Sequence, residues 1–427
     1  MSVLHGFAHP DFWPVARALG RQLARDSRGG AAVCVYHCGE KVVDIWGGAR
    51  NAAGEPWSAE TMSVSFSTTK GVTATALHIL ADRGLLAYDD PVAKHWPEFA
   101  QAGKSRITVR ELLCHQAGLY DIRHLIDDAA RMREWSHMTD VLARRAPALP
   151  PGTASAYHGI TYGWLVGEVV QRVSGRPFAE FVQRELAEPL GGGLYIGAPP
   201  GAASHAAELL IAPALRHHVS RLGERLERAQ RIVHLLGAPY DVRRIADALL
   251  VPGLMDFRWD APESLAAPIP AANGLFTARA LAKLYAVLAA GGRLNGTQLL
   301  SARTVARATE VQTRRFDLVM PVPMHWRLGY HRAFTTAGSP PRAFGHYGFG
   351  GSGAFADPDQ QLAVALVLNS GVGTPFGDLR TAAIGGIALR CARGRRGPRG
   401  PAACDPRADD VAAAADARWM DAGSDCA

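Results

Sequence analysis

Residues 67–86 read Ser67-Thr68-Thr69-Lys70 and then GVTATALHILADRGLL. Val72, Ala76, Leu77, Ile79, Leu80 and Leu85 recur at helical spacing and cover a broad apolar face. The three hydroxyl residues in front and Gly84 near the end are helix start and stop signals. A serine three residues before a lysine puts both on one helix face, one turn apart. Serine oxygen is a weak nucleophile until a base takes its proton. A buried lysine can serve, because burial disfavours its ammonium and lowers its pKa. The helix N-terminus adds partial positive charge that steadies a developing alkoxide. Alone, the tetrad also fits an N-capping serine followed by a solvated lysine, so its surroundings must decide.

Upstream, residues 31–49 form two β-branched runs around His37-Cys38-Gly39-Glu40, the pattern of a hairpin with a glycine turn. Downstream come helices at 161–173, ending near Ser174-Gly175, and at 178–187, stopping before Pro189. A further helix at 277–291 is N-capped by Thr277. Strand patterns return at 343–347, 353–356 and 362–369, and a helix at 377–391 closes the folded region. Strands at both chain ends with helices between, and no βαβ alternation, argue against a doubly wound sheet. The fold class expected is α/β of the α+β type, an antiparallel sheet built from both chain ends and flanked by helices, plus a mostly helical region. Residues 200–265, Ala- and Arg-rich with helical patterns such as 220–236, read as an insertion able to cap a site. The expected division is one domain over 1–392 and a disordered tail over 393–427, which has hardly a large apolar side chain.

The 427 residues are 48% apolar and 20% charged, which is globular composition and excludes wholesale disorder. The formal charge is +7, but the cations are spread along the chain and only five are lysines. The one dense basic cluster, Arg393 to Arg399, sits in the Gly/Pro-rich tail, so no nucleic-acid partner is expected. Six cysteines without a C-x-x-C pair support neither a disulfide scaffold nor a zinc ribbon. They read as free thiols in a reducing compartment. Among the longest apolar runs is Leu362–Leu368, far short of the roughly 20 residues that span a bilayer. Met1–Trp13 lacks a basic region followed by an apolar stretch, so no signal peptide is expected and the location expected is cytoplasmic. His217-His218 lies on a charged helical pattern and reads as a solvated face.

The surroundings of the tetrad decide its reading. Val64-Ser65-Phe66 precede it. Leu112 to Leu119, Tyr157-His158-Gly159 with Thr161 to Gly167, Asn273 to Thr277, and Gly345 to Gly353 follow in order. Together these motifs resemble, over about residues 10–390, the serine β-lactamase-like family with the penicillin-binding-protein fold. Within it they look most like the class C-related esterases called family VIII carboxylesterases. The resemblance implies Ser67 as nucleophile, Lys70 as its first partner and Tyr157 as a proton shuttle, working as tyrosine or as phenolate. In the β-lactamases that tyrosine opens a Tyr-x-Asn motif; Gly159 stands here where the asparagine would be. His346-Tyr347-Gly348 occupies the place of the family's Lys-Thr-Gly strand motif. A lysine there would bind an antibiotic carboxylate, whereas a histidine is mostly neutral at pH 7. The substrate-binding residues implied are His346, Tyr347, Gly348 and Phe349. The Ser67 N–H and the Phe349 N–H are the expected oxyanion donors.

Other signals are weaker. His115 would serve a Ser-His-Asp triad, but S-x-x-K makes that unnecessary and a structural role is expected. Tyr162 reads as core, and Asn273 as fixing the loop before Thr277. Gly348-x-Gly350-x-x-Gly353 matches a dinucleotide fingerprint but leads into a strand and turn instead of a helix. There is no G-x-S-x-G elbow, H-E-x-x-H or Walker motif. No cofactor or metal is expected. The function expected is a carboxylesterase acting on small-molecule esters with small or medium acyl groups. The alternatives are a β-lactamase or D-aminopeptidase-like peptidase and, from another class, a non-catalytic binding protein on the same fold.

Overall fold

The computed structural model describes residues 3–25, 28–210, 222–235, 240–320, 322–371 and 378–395. Its centre is a seven-stranded antiparallel sheet made from both ends of the chain. The N-terminal part supplies β1 (Leu4–Ala8), β2 (Gly30–His37) and β3 (Glu40–Gly48). The C-terminal part supplies β4 (His331–Arg332), β5 (Phe344–Tyr347), β6 (Gly353–Asp357) and β7 (Leu362–Leu368). The order across the sheet is β1-β3-β2-β7-β6-β5-β4. β2 and β7 join the two ends, in register from Ala31 opposite Leu368 to His37 opposite Leu362. The expected hairpin turn is Cys38-Gly39, and both residues have positive φ (51° and 82°). That matches the primed two-residue turns that follow strand twist.

β7 is an unbroken apolar run because both of its faces are covered. Leu362, Val364 and Leu366 pack with Leu19, Leu23, Ile384 and Leu389. These come from α1 (Trp13–Arg25) and α6 (Arg380–Gly394), which cover one face. Ala363, Ala365 and Val367 join the larger core on the other face. There lie α2 (Thr69–Asp82), α3 (Tyr162–Ser174) and α5 (Ala278–Ala289). Asp44 of β3 is buried and ties the hairpin to α5 through Arg279 Nε at 2.7 Å.

α2 departs from the broad apolar face expected of it: Thr69 to Leu80 are all buried, so it is enclosed all round. Its polar side chains are accordingly paired. Thr73 donates to Pro270 O at 2.6 Å, and His78 bonds Leu328 O at 3.0 Å. Leu85, expected on the apolar face, is exposed and Leu86 is buried in its place, because the helix has ended at Asp82. The 178–187 helix does not stop before Pro189. It widens into a π turn over Gln183–Ala187 and continues through Glu188–Leu190. A widened turn admits a residue that has no N–H and whose ring would strike a carbonyl four residues back. The final helix runs to Gly394, and Arg395 pairs with Glu40 at 2.7 Å, so residues 393–395 belong to the folded body. The rest of the expected tail, and His217-His218, lie outside the described residues. β1 and α1 carry no expectation from the sequence.

In the stretch 200–265, expected as an insertion, the described helices include Leu222–Leu235 and α4 (Arg243–Leu249). After it, residues 268–273 cross α3. A β-carbon on Gly163 of α3 would lie 2.5 Å from Ala271 N, so only glycine permits that approach. Gly163→Val is expected to cost about 1–3 kcal/mol by overpacking. Thermal denaturation would show this as a melting temperature several degrees lower; an unchanged value would contradict the close crossing.

Candidate active site

The chain enters α2 through a short 3-10 turn, Phe66–Thr68. Phe66 holds φ at +44°, a left-handed conformation that is costly for a bulky residue. Thr68 makes no side-chain cap for the helix and donates instead to Ser352 O at 3.1 Å. Thr69 Oγ1 accepts the Gly274 N–H at 2.9 Å. The hydroxyls that looked like helix-start signals therefore pin this turn to its neighbours. Ser67 is left facing a cavity.

Lys70 lies one turn along, fully buried. Its Nζ is 3.0 Å from Ser67 Oγ and 2.9 Å from Ala271 O. Burial alone lowers its pKa well below the usual lysine value. Tyr157 OH stands 2.8 Å from Ser67 Oγ, and Lys70 Nζ is 5.0 Å from the Tyr157 ring centre. Burial raises the phenol pKa, so Tyr157 is held as a neutral hydroxyl. The two residues expected to act with Ser67 are thus both within hydrogen-bonding distance of its oxygen.

Tyr157 is oriented by groups that the sequence did not reveal. Its ring stacks on Trp326, with centres 5.6 Å apart and planes 7° from parallel. Its backbone N–H donates to Asp317 Oδ1 at 3.1 Å. Buried Asp317 also accepts from Val319 N and Met320 N at 2.8 Å and from Trp326 Nε1 at 2.9 Å. Burial raises its carboxyl pKa despite these donors. The only sequence signal was an aspartate bonding the N–H groups two and three residues on, which any loop can offer. His115 packs its ring behind Tyr157, with centres 5.0 Å apart, and its Nδ1 accepts the His158 N–H at 3.1 Å. It supports the tyrosine, as the structural reading expected. Tyr162 is buried. Asn273 Oδ1 accepts the Ile269 N–H at 2.9 Å, and its Nδ2 donates to Ser264 O at 2.7 Å. That holds the loop which presents Ala271 O to Lys70.

The end of β5 forms the opposite wall. A β-carbon on Gly348 would lie 2.2 Å from Ser65 O, so the strand meets the Ser67 turn only at a glycine. A second 3-10 turn, Phe349–Gly351, follows, and the Phe66 and Phe349 rings meet edge to face at 5.4 Å. Ser67 and Phe349 lie at the starts of these two turns, where N–H groups lack a partner within the turn. His346 is buried, and burial together with His331 and Lys70 lowers its pKa well below the usual value, which keeps it neutral. Tyr347 OH donates to Phe334 O at 2.9 Å and so acts as wall.

Ser67, Tyr157, His346, Tyr347, Gly348 and Phe349 all line one cavity of about 510 Å³. Its other walls are mostly apolar: Ile160, Leu249, Leu250, Phe257, Trp259 and Met324 among them. Among the described residues lining it, Arg258 is the one Lys or Arg, and it pairs with Asp260 at 3.0 Å. Asp256 and Asp378 also line it, and Asp378 is bonded by Arg380 Nε at 2.7 Å. The arrangement is a hydroxyl between a buried amine of lowered pKa and a phenol of raised pKa, at the foot of an apolar cavity. It can add an alkoxide to a carbonyl carbon.

A family model described as Beta-lactamase matches residues 15–389. The chain is 38% identical over 377 residues to the Esterase/beta-lactamase LipL of Mycobacterium tuberculosis, covering 85% of this chain and 82% of that protein. It is 34% identical to a crystal structure of a family VIII carboxylesterase, with a TM-score of 0.78, covering 91% of this chain and 100% of the other. A penicillin-binding protein homologue from Caulobacter crescentus is likewise 34% identical, with a TM-score of 0.80 and the same coverage of 91% and 100%.

The lowered pKa of Lys70 makes a direct expectation. Labelling of Ser67 by a fluorophosphonate should speed up as pH rises, with its midpoint below the ordinary lysine value of about 10.4. Lys70→Ala should slow labelling and remove that pH dependence. A midpoint at or above the ordinary value would show that Lys70 is not neutralised by burial.

Proposed function

From the premise that this chain belongs to the beta-lactamase family, we propose that it is a serine hydrolase cleaving neutral carboxylic esters through an acyl group on Ser67. The observation that carries the reading is the convergence of Lys70 Nζ and Tyr157 OH on Ser67 Oγ, at 3.0 and 2.8 Å.

Lys70, whose pKa burial lowers, takes the Ser67 proton in its neutral form as Oγ attacks the ester carbonyl carbon. The carbonyl oxygen becomes an oxyanion and meets the N–H groups of Ser67 and Phe349. One such donor is commonly worth about 10²–10³ in rate. As the tetrahedral adduct collapses, Tyr157 gives its proton to the departing alkoxide and recovers one from Lys70. The alcohol leaves and the acyl group stays on Ser67. Water then adds to the acyl carbonyl carbon, giving up a proton to the same groups. The bond from the carbonyl carbon to Ser67 Oγ then breaks, Oγ takes that proton back, and the carboxylic acid is released.

The choice of neutral esters over carboxylated β-lactams is supported by charge. His346 is held neutral, and Arg258 is already paired. The carboxylate of Asp256 stands at the same cavity and disfavours a second anion, while that of Asp378 is paired with Arg380. A charge-assisted hydrogen bond is about twice as strong as a neutral one, so a missing cation weakens antibiotic binding.

Ser67→Ala is expected to abolish hydrolysis of p-nitrophenyl butyrate while leaving the melting temperature close to the parent's; a few per cent of residual kcat would remove Ser67 as nucleophile. Lys70→Ala and Tyr157→Phe should each lower kcat by roughly 10²-fold or more. Because they share one proton, the double variant should lose far less than the product of the single losses. On one preparation, kcat/KM for p-nitrophenyl butyrate should greatly exceed that for nitrocefin. Comparable values would shift the substrate class to β-lactams.

A further inference from the structure

Gly159 looks at first like a vacancy, a place where a polar side chain has been removed. The structure fills it. A β-carbon on Gly159 would lie 2.4 Å from Leu249 Cδ2 and 2.6 Å from Ala248 O. Both neighbours belong to α4, in the stretch 200–265. The leucine methyl is the end of a flexible side chain and can turn away. The carbonyl oxygen is helix backbone and cannot.

The helix is held firmly in that position. Ile245, Ala246 and Ala248 are buried in one cluster with Tyr157, Val319 and Trp326. The Val242 N–H donates to Gln230 Oε1 at 2.8 Å, and Tyr240 OH donates to Val319 O at 3.0 Å. Leu249, half-buried at the end of the helix, then faces the cavity beside Ser67 and Gly159.

We infer that Leu249 is a specificity-determining residue: with the Ala248 carbonyl it occupies the side-chain space at position 159 and makes the enclosed end of the cavity an apolar slot whose depth limits the acyl chain. The inference rests on Ser67 being acylated by an ester. The acyl part is the relevant one because it stays bonded to Ser67 until water enters, and so must fit the enclosed end. The alcohol leaves when the adduct collapses, and on this inference it lies toward the side where Met255, Val322 and Leu379 are exposed. A slot bounded by one leucine discriminates by methylenes, each worth roughly 10–200-fold in kcat/KM.

The test measures kcat/KM for p-nitrophenyl butyrate and p-nitrophenyl octanoate on the full chain and on Leu249→Ala, Leu249→Phe and Leu249→Met. Active serine is counted by fluorophosphonate. Leu249→Ala should raise the octanoate-to-butyrate ratio about tenfold or more, and Leu249→Phe should lower it by a similar factor. Leu249→Met, close in volume, should leave the ratio within about twofold; it and Leu249→Phe keep the question open to disproof if the alanine variant does not fold. Gly159→Asn should lose activity on both esters, because the Ala248 carbonyl leaves no room. An unchanged ratio in folded Leu249→Ala and Leu249→Phe overturns the inference. So does a ratio that moves only when the alcohol, compared as ethyl and octyl butyrate, is lengthened. If instead the parent protein hydrolyses none of these esters, the proposed esterase function fails first, and that result is read on the parent alone.

Discussion

The site depends on a lysine amine that has been taken out of water with, among the described residues, no anion beside it. Lys70 is enclosed by α2, by the loop that carries Ala271 and by the ring of Tyr157. Burial lowers its pKa well below the usual lysine value. A carboxylate at that position would have restored the charge and removed the base. The surrounding construction therefore has two duties. It must exclude water from Lys70, and it must offer the amine neutral acceptors only. Ala271 O is one and Ser67 Oγ the other. Gly163 lets the 268–273 loop come close enough to α3, and the Asn273 side chain holds that loop in shape.

The same enclosure sets the state of Tyr157. A phenol stacked on Trp326 and backed by His115 gains nothing by ionising, so it keeps its proton. Asp317 places the tyrosine without touching its hydroxyl, by accepting the backbone N–H. Its four N–H donors balance a buried carboxylate that, among the described residues, has no cation against it. One amine easily deprotonated and one phenol firmly protonated, both on one serine oxygen, is the division of labour that a proton relay requires.

Around this core the cavity is built of neutral and apolar groups. Where a polar anchor would help a charged substrate, the structure puts a neutral histidine or the backbone of a helix. His346 stays uncharged because burial takes it out of water. The space beside Gly159 holds Leu249 and the Ala248 carbonyl. The missing asparagine and the missing lysine thus have physical counterparts in the structure, and both favour an uncharged ligand.

The chain by itself determined what rests on local spacing. Ser67 and Lys70 share a helix face because three residues make nearly one turn. The hairpin around Cys38-Gly39 follows from alternation and a turn glycine. The apolar run at 362–368 marks a strand covered on both faces. The order of the motifs, from the tetrad through Tyr157 to His346, pointed to one family and so to one site. The tertiary structure alone decided which groups complete that site. Ala271 is 201 residues from Lys70, Asp317 is 160 from Tyr157, and Leu249 is 90 from Gly159. These contacts are made by loops, or by a helix end whose own pattern says nothing about its partner. Backbone carbonyls carry no residue identity at all, so no reading of side chains could have found Ala271 O or Ala248 O. The pKa of Lys70 belongs with them: a lysine's place in the chain is local, but its dehydration is the work of every element packed around it.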